Sequence, residues 1–122
     1  MKKLILLLLA LLFSCSSLDS YNIYIDSNEG DDKNSGNSKH SAWATLVNLD
    51  KTKLKPGTTI HLKSDSEFTG FIEINDSGIA GNPIILKSYG NGKKPIINGN
   101  GEKKYTILLN NVEQIIIDGI EI

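Results

Sequence analysis

The sequence predicts an all-β solenoid, a chain that winds through several parallel sheets and adds one short strand to each sheet per coil. Three observations lead there. From Thr58 onward, short apolar runs alternate with Gly, Asn, Asp and Pro turns, at 58–63, 71–74, 84–87, 95–97, 105–109, 115–117 and 120–122, each too short for a helix. Ile60, Ile84 and Ile107 recur at spacings of 24 and 23 residues. The triplets Ile74-Asn75-Asp76, Ile97-Asn98-Gly99 and Ile117-Asp118-Gly119 form a second series, spaced by 23 and 20. Coils of that length would stack their Ile side chains inside, with strands about 4.8 Å apart. Asn75, Asn98 and Asp118 would then share one corner, bonding the turn backbone and one another. An antiparallel sandwich, with Asn91-Gly92 and Asn98-Gly99 as hairpin turns, is the alternative. The in-phase repetition favours the solenoid.

The elements follow in order. Residues 1–14 read as a leader, with Lys2 and Lys3 before an apolar run of 10 residues from Leu4 to Phe13. That run is half the length a membrane span needs, about 20 residues, and fits a signal-peptide core. It ends in Leu12-Phe13-Ser14-Cys15, similar to the lipobox of bacterial lipoproteins, in which the cysteine is acylated. An ordinary secretory leader with an incidental Cys15 is the alternative. Residues 15–20 would be a polar tether, holding the chain on a membrane surface without spanning it. A cap fills 21–57: an alternating strand from Tyr21 to Asp26, a polar loop from Ser27 to His40, and a helix. Ser41 would cap that helix, which begins at Ala42, carries Trp43, Leu46 and Val47 on one stripe, and stops before Pro56-Gly57. The coils occupy 58–122.

Charge and cysteine usage exclude several functions. The 13 basic residues, all Lys, face 14 acidic ones, for a net charge of −1 at pH 7. This leaves no basic excess for a nucleic-acid partner. One cysteine and two histidines exclude a disulfide scaffold and a Cys/His zinc cluster.

Two stretches resemble the right-handed parallel β-helix proteins of bacteria, many of them polysaccharide lyases of the pectate lyase or chondroitinase–alginate lyase type. Gly30-Asp31, Gly36 and Trp43-Ala44-Thr45-Leu46 are similar to the signature before the capping helix of that family. Leu54 to Leu62, Ser77 to Ile84, Lys94 to Gly99 and Ile115 to Ile122 are similar to its first coils. Ala42, Asn37 and Thr58 depart from the family pattern. The resemblance implies two to three coils of a right-handed parallel β-helix behind an N-terminal capping strand and helix. It also implies a parent, anchored in the cell envelope, that binds or degrades acidic polysaccharide by β-elimination, with calcium or a cationic side chain neutralising the uronate carboxylate. A glycoside hydrolase on the same fold and a non-catalytic adhesion or carbohydrate-binding β-helix are the alternatives. The apolar strand at Ile122, with no second cap, predicts the opening part of a longer β-helix, inactive by itself.

No catalytic residue transfers by motif. Lys63 and Lys87, one period apart, would stack as a cationic strip for uronates or, more simply, splay on a solvated sheet face. Tyr89 and Tyr105 are candidate exposed platforms for sugar rings. Asp26, Asn28, Asp31 and Asp32 are weak calcium candidates, since no bidentate Glu follows at the twelfth loop position. His40 and His61 read as surface residues, and Trp43 as core.

Overall fold

The computed structural model describes residues 21–122; the leader, Cys15 and the tether lie outside the described residues. Eight strands form: β1 (Tyr21–Ile25), β2 (Thr58–Lys63), β3 (Glu67–Thr69), β4 (Ile72–Ile74), β5 (Ile84–Tyr89), β6 (Ile96–Asn98), β7 (Ile107–Leu109) and β8 (Ile115–Asp118). They make one four-stranded sheet, β1-β2-β5-β8, and two two-stranded sheets, β3-β6 and β4-β7. Every strand pair is parallel. Parallel neighbours cannot be joined by a tight hairpin. Here the chain leaves the large sheet at β2, passes through β3 and β4, and returns at β5. It then repeats the circuit through β6 and β7 to β8.

Alternation along each strand decides what the circuits enclose. In β2, Thr58, Ile60 and Leu62 are buried while Thr59, His61 and Lys63 point outward. Ile25, Ile60, Leu62, Ile72, Ile74, Ile84, Leu86 and Ile97 are essentially inaccessible and form one cluster with Phe68, Trp43, Leu46 and Leu49. β-Branched and leucine side chains suit a pleated wall, and each buried one contributes roughly 1.5–3 kcal/mol.

The expected helix after Ser41 does not form. In its place stand two short 3-10 turns, Lys39–Ser41 and Val47–Lys51, and the first is capped by Ser38, whose Oγ accepts from Ser41 N. The backbone around Trp43 is already engaged elsewhere. Trp43 N donates to Tyr24 O (2.9 Å), and Asp26 N donates to Trp43 O (2.8 Å), which docks Trp43 beside Ile25 as a one-residue parallel bridge. Asp32 then takes the next two amides, Ala44 N (3.0 Å) and Thr45 N (2.9 Å), and the Thr45 hydroxyl. The carbonyls of Ser41, Ala42 and Trp43, which would open an i to i−4 ladder, instead accept from Gly36 N, Asp31 N and Asp26 N, and Ala42 is extended. Trp43 and Leu46 are buried as expected, but Val47 is 54% exposed.

The repeat length also differs from the sequence expectation. Thr59 pairs with Ile85 (85 − 59 = 26) and Ile84 with Ile115 (115 − 84 = 31). Phe68 pairs with Ile97 (97 − 68 = 29) and Ile72 with Ile107 (107 − 72 = 35). Ile107 therefore belongs to a different sheet from Ile60 and Ile84. The three triplets fall on β4, β6 and β8, one in each sheet, so Asn75, Asn98 and Asp118 share no corner. The asparagine that does meet Asn75 is Asn110, whose Nδ2 donates to Asn75 Oδ1 at 3.0 Å. Turns of unequal length between the strands break the apparent period.

Candidate functional site

Two outward faces carry chemistry. On the large sheet, the register aligns Tyr24, His61, Lys87 and Asp118 in one row across β1, β2, β5 and β8. Tyr24 and His61 stack face to face, with centroids 4.4 Å apart and planes 5° apart. Tyr89 stands edge-on to both, at 5.4 and 6.0 Å. His61 Nε2 lies 2.9 Å from Asn22 Oδ1, an acceptor that selects the tautomer protonated at Nε2. Burial, then the positive charges of Lys87 and Lys39, hold the His61 imidazole down at about 4. It is a neutral, packed ring at pH 7, more enclosed than a surface residue. His40 is exposed.

Lys63 and Lys87 do not stack as the sequence predicts. Lys63 faces Tyr89 and Lys87 faces His61, because the register is 26 residues and not 24. Lys63 Nζ lies 5.6 Å from the Tyr89 ring centroid and Lys39 Nζ 5.8 Å from it. Tyr89 is consequently not a free platform. Its hydroxyl is inaccessible, without a hydrogen-bond partner among the described residues, and is pushed up to about 12 by burial and then by Asp26.

The low value at His61 sets a pH dependence. The unfolded chain takes up this proton near 6.5 and the folded one near 4, so between them the unfolded state binds more protons. Stability therefore falls as pH drops from 6.5 towards 4. With the ring half-exposed, solvent screening holds the contribution to about 1 kcal/mol. Urea titrations at pH 7 and pH 4.5 should show a smaller drop for His61→Asn than for the parent; equal drops would contradict the assignment.

The second face is a cleft beside β4. The alternation that buries Ile72 and Ile74 projects Phe71, Glu73 and Asn75 outward. Glu73 Oε1 accepts from the Tyr105 hydroxyl (2.5 Å) and from Lys103 Nζ (3.5 Å). Lys103 Nζ also lies 3.2 Å from the Tyr105 oxygen and 3.6 Å from the centroid of Phe71. The two rings meet edge to face at 6.2 Å. The Tyr105 hydroxyl bond, with the Lys103 charge, holds the Glu73 carboxyl below the usual carboxylate range, and the Tyr105 contact raises Lys103. Tyr105 is thus half-buried in a polar cluster and is not an exposed platform. The cleft has a volume of about 530 Å³ between the Val47–Lys51 turn and β4, and Asp50, Thr52, Asn75 and Asp76 contribute to its walls.

The calcium candidates are occupied with turn structure. Asp26 Oδ1 accepts from Asn28 N and Glu29 N, Asp31 Oδ1 from Lys33 N, and Asn28 Nδ2 donates to Asp65 O. Burial raises Asp32, but the Thr45 hydroxyl and the amides of Thr45 and Ala44 outweigh it and lower the pKa overall. Among the described residues no three His, Cys, Asp or Glu side chains are grouped as a metal would need.

Sequence reasoning missed Phe71, Glu73 and Lys103. The strict alternation of 71–75 placed Phe71, Glu73 and Asn75 on one face. Lys103 and Tyr105 reach them only through the 35-residue offset of β4 and β7, which the assumed period conceals.

No family model matches the chain. Over 86 residues, 66% of its length, it is 38% identical to a lacto-N-biosidase of Bifidobacterium longum subsp. longum. The GH136 lacto-N-biosidase of Eubacterium ramulus superposes on 82% of the chain as a selenomethionine derivative, with a TM-score of 0.73 and 25% identity. Its native form gives 0.72 and 26% over 81%. The chain is similar to lacto-N-biosidases. It spans 5% of the Bifidobacterium protein and about a fifth of the Eubacterium chain. These relatives are glycoside hydrolases. That similarity overturns the expected β-elimination lyase in favour of the hydrolase alternative. Elimination needs a proton made acidic by a neighbouring uronate carboxyl, whereas hydrolysis of a glycosidic bond needs no charged sugar.

Proposed function

We propose that the chain forms coils of a right-handed parallel β-helix in a glycoside hydrolase that acts on oligosaccharides. The similarity to lacto-N-biosidases carries this reading, and the repeated parallel return from β2 to β5 to β8 supports it. Hydrolysis uses two carboxyl groups about 5–9.5 Å apart across the bond, one of them a proton donor. Glu73, held ionised by Tyr105 and Lys103, suits accepting hydrogen bonds from a sugar and is a poor proton donor. The part assigned to this chain is therefore scaffold and saccharide contact.

The leader keeps its reading: Cys15 carries a lipid that holds the protein in the cell envelope. Expression of the protein from its whole reading frame, with its own leader, tests both points. Incubation with a lacto-N-bioside should release saturated products, each cleavage adding one water by mass. Unsaturated products, or no release of the disaccharide, would overturn the hydrolase reading. Membrane-fraction recovery should be lost in Cys15→Ser; unchanged recovery would remove the anchor.

A further inference from the structure

We infer that the cleft beside β4 binds a neutral saccharide, with Phe71 as the platform for a sugar ring and Glu73 and Asn75 as its polar contacts. This rests on the carbohydrate reading above and adds a site and a ligand class to it.

The charge of the walls argues for a neutral ligand. Asp50, Glu73 and Asp76 are balanced by Lys51, Lys53 and Lys103 around the same space, so the cleft offers no net positive field to a uronate. Its volume of about 530 Å³ lies within the range of about 300–1,000 Å³ typical of small-ligand sites. The polar groups retain capacity after their internal bonds are counted. Both bonds to Glu73 land on Oε1, which leaves Oε2 to accept from a sugar hydroxyl. Asn75 uses its Oδ1 on Asn110 and keeps its amide donors.

Lys103 is the movable part. It lines this cleft and also a second one of about 640 Å³ on the side of Tyr105 and Ile107, so its side chain divides the two. Its ammonium covers the Phe71 ring, yet the side chain is 36% exposed and its ion pair with Glu73 is long, at 3.5 Å. Such a pair is weak, about 0–1 kcal/mol, and a sugar ring can displace the ammonium from Phe71 while Glu73 stays bonded to Tyr105.

Amide shift titration of the chain with lacto-N-biose and, separately, with a galacturonate oligomer tests this. Saturable shifts confined to 71–76 and 103–105, with the neutral sugar only, are expected. Phe71→Ala should weaken binding about tenfold, the scale of one aromatic contact. Glu73→Gln preserves shape and should weaken it less, and Lys103→Ala should leave it equal or tighter. Galacturonate binding at least as strong, shifts confined to the Tyr24–His61 face, or no saturable shift would each overturn the site. Hydrolysis with no shifts in the cleft would overturn this site alone; shifts in the cleft without hydrolysis would support it and count only against the hydrolase reading.

Discussion

Replacing Leu86 with Ala is expected to remove about 2–5 kcal/mol of stability, lowering the urea midpoint by about 1–3 M. Leu86 is completely buried on β5, flanked in the large sheet by Ile60 on β2 and Ile117 on β8. Truncation removes its apolar transfer energy and leaves a cavity that neighbours on two strands, fixed by parallel ladders, cannot close. Against a total of about 5–15 kcal/mol for a domain of this size, that is a large fraction. The adjacent Lys87→Ala should change stability by no more than about 0.5 kcal/mol, because its side chain projects from the opposite face. A one-residue slip of β5 would exchange the two results.

Gly30→Ala should cost about 2–4 kcal/mol for a different reason. A Cβ there would meet the carbonyl oxygens of Trp43 and Asp26, the latter at 2.5 Å. Both oxygens are already fixed, accepting from Asp26 N and Gly30 N respectively. Backbone atoms cannot turn aside as a flexible side chain would, so the bridge between β1 and Trp43 must open. Trp43 is the sole tryptophan, so its emission reports the event: a red shift and a lower thermal midpoint are expected. Gly101→Ala is the control. It has φ +69° with open space around it, so it should cost only the left-handed backbone strain, about 1 kcal/mol. Equal effects at the two glycines would contradict the packing assigned to Trp43.

Much of the wall of the fold was legible in the sequence, because a period of two survives in any strand with one buried face. Ile60 and Leu62, Ile72 and Ile74, and Ile84 and Leu86 point inward as their alternation requires. β3 was not legible. Glu67-Phe68-Thr69 offers one apolar residue, and only its pairing with β6 makes it a strand. The apparent coil length misleads because Ile60 and Ile84, 24 residues apart, lie on paired strands two residues out of register, and Ile84 and Ile107, 23 apart, lie on different sheets. The loop from Gly99 to Thr106 lengthens one circuit unseen. Trp43 and Leu46 suit a helical stripe, while the groups that prevent the helix, the amides of Asp26, Asp31 and Gly36, lie upstream and take the carbonyls of Trp43, Ala42 and Ser41. The same long-range pairing explains the cleft. Phe71 and Glu73 look like ordinary outward residues until the longer offset brings Lys103 and Tyr105 against them.

Register is therefore the central claim, since it decides which side chains share a face. Through-space proton contacts between β2 and β5, measured by NMR on the labelled chain, test it most directly. Backbone contacts of His61 with Lys87, and of Lys63 with Tyr89, are the predicted result. Backbone contacts placing Lys63 directly opposite Lys87 would restore the shorter period and contradict the account.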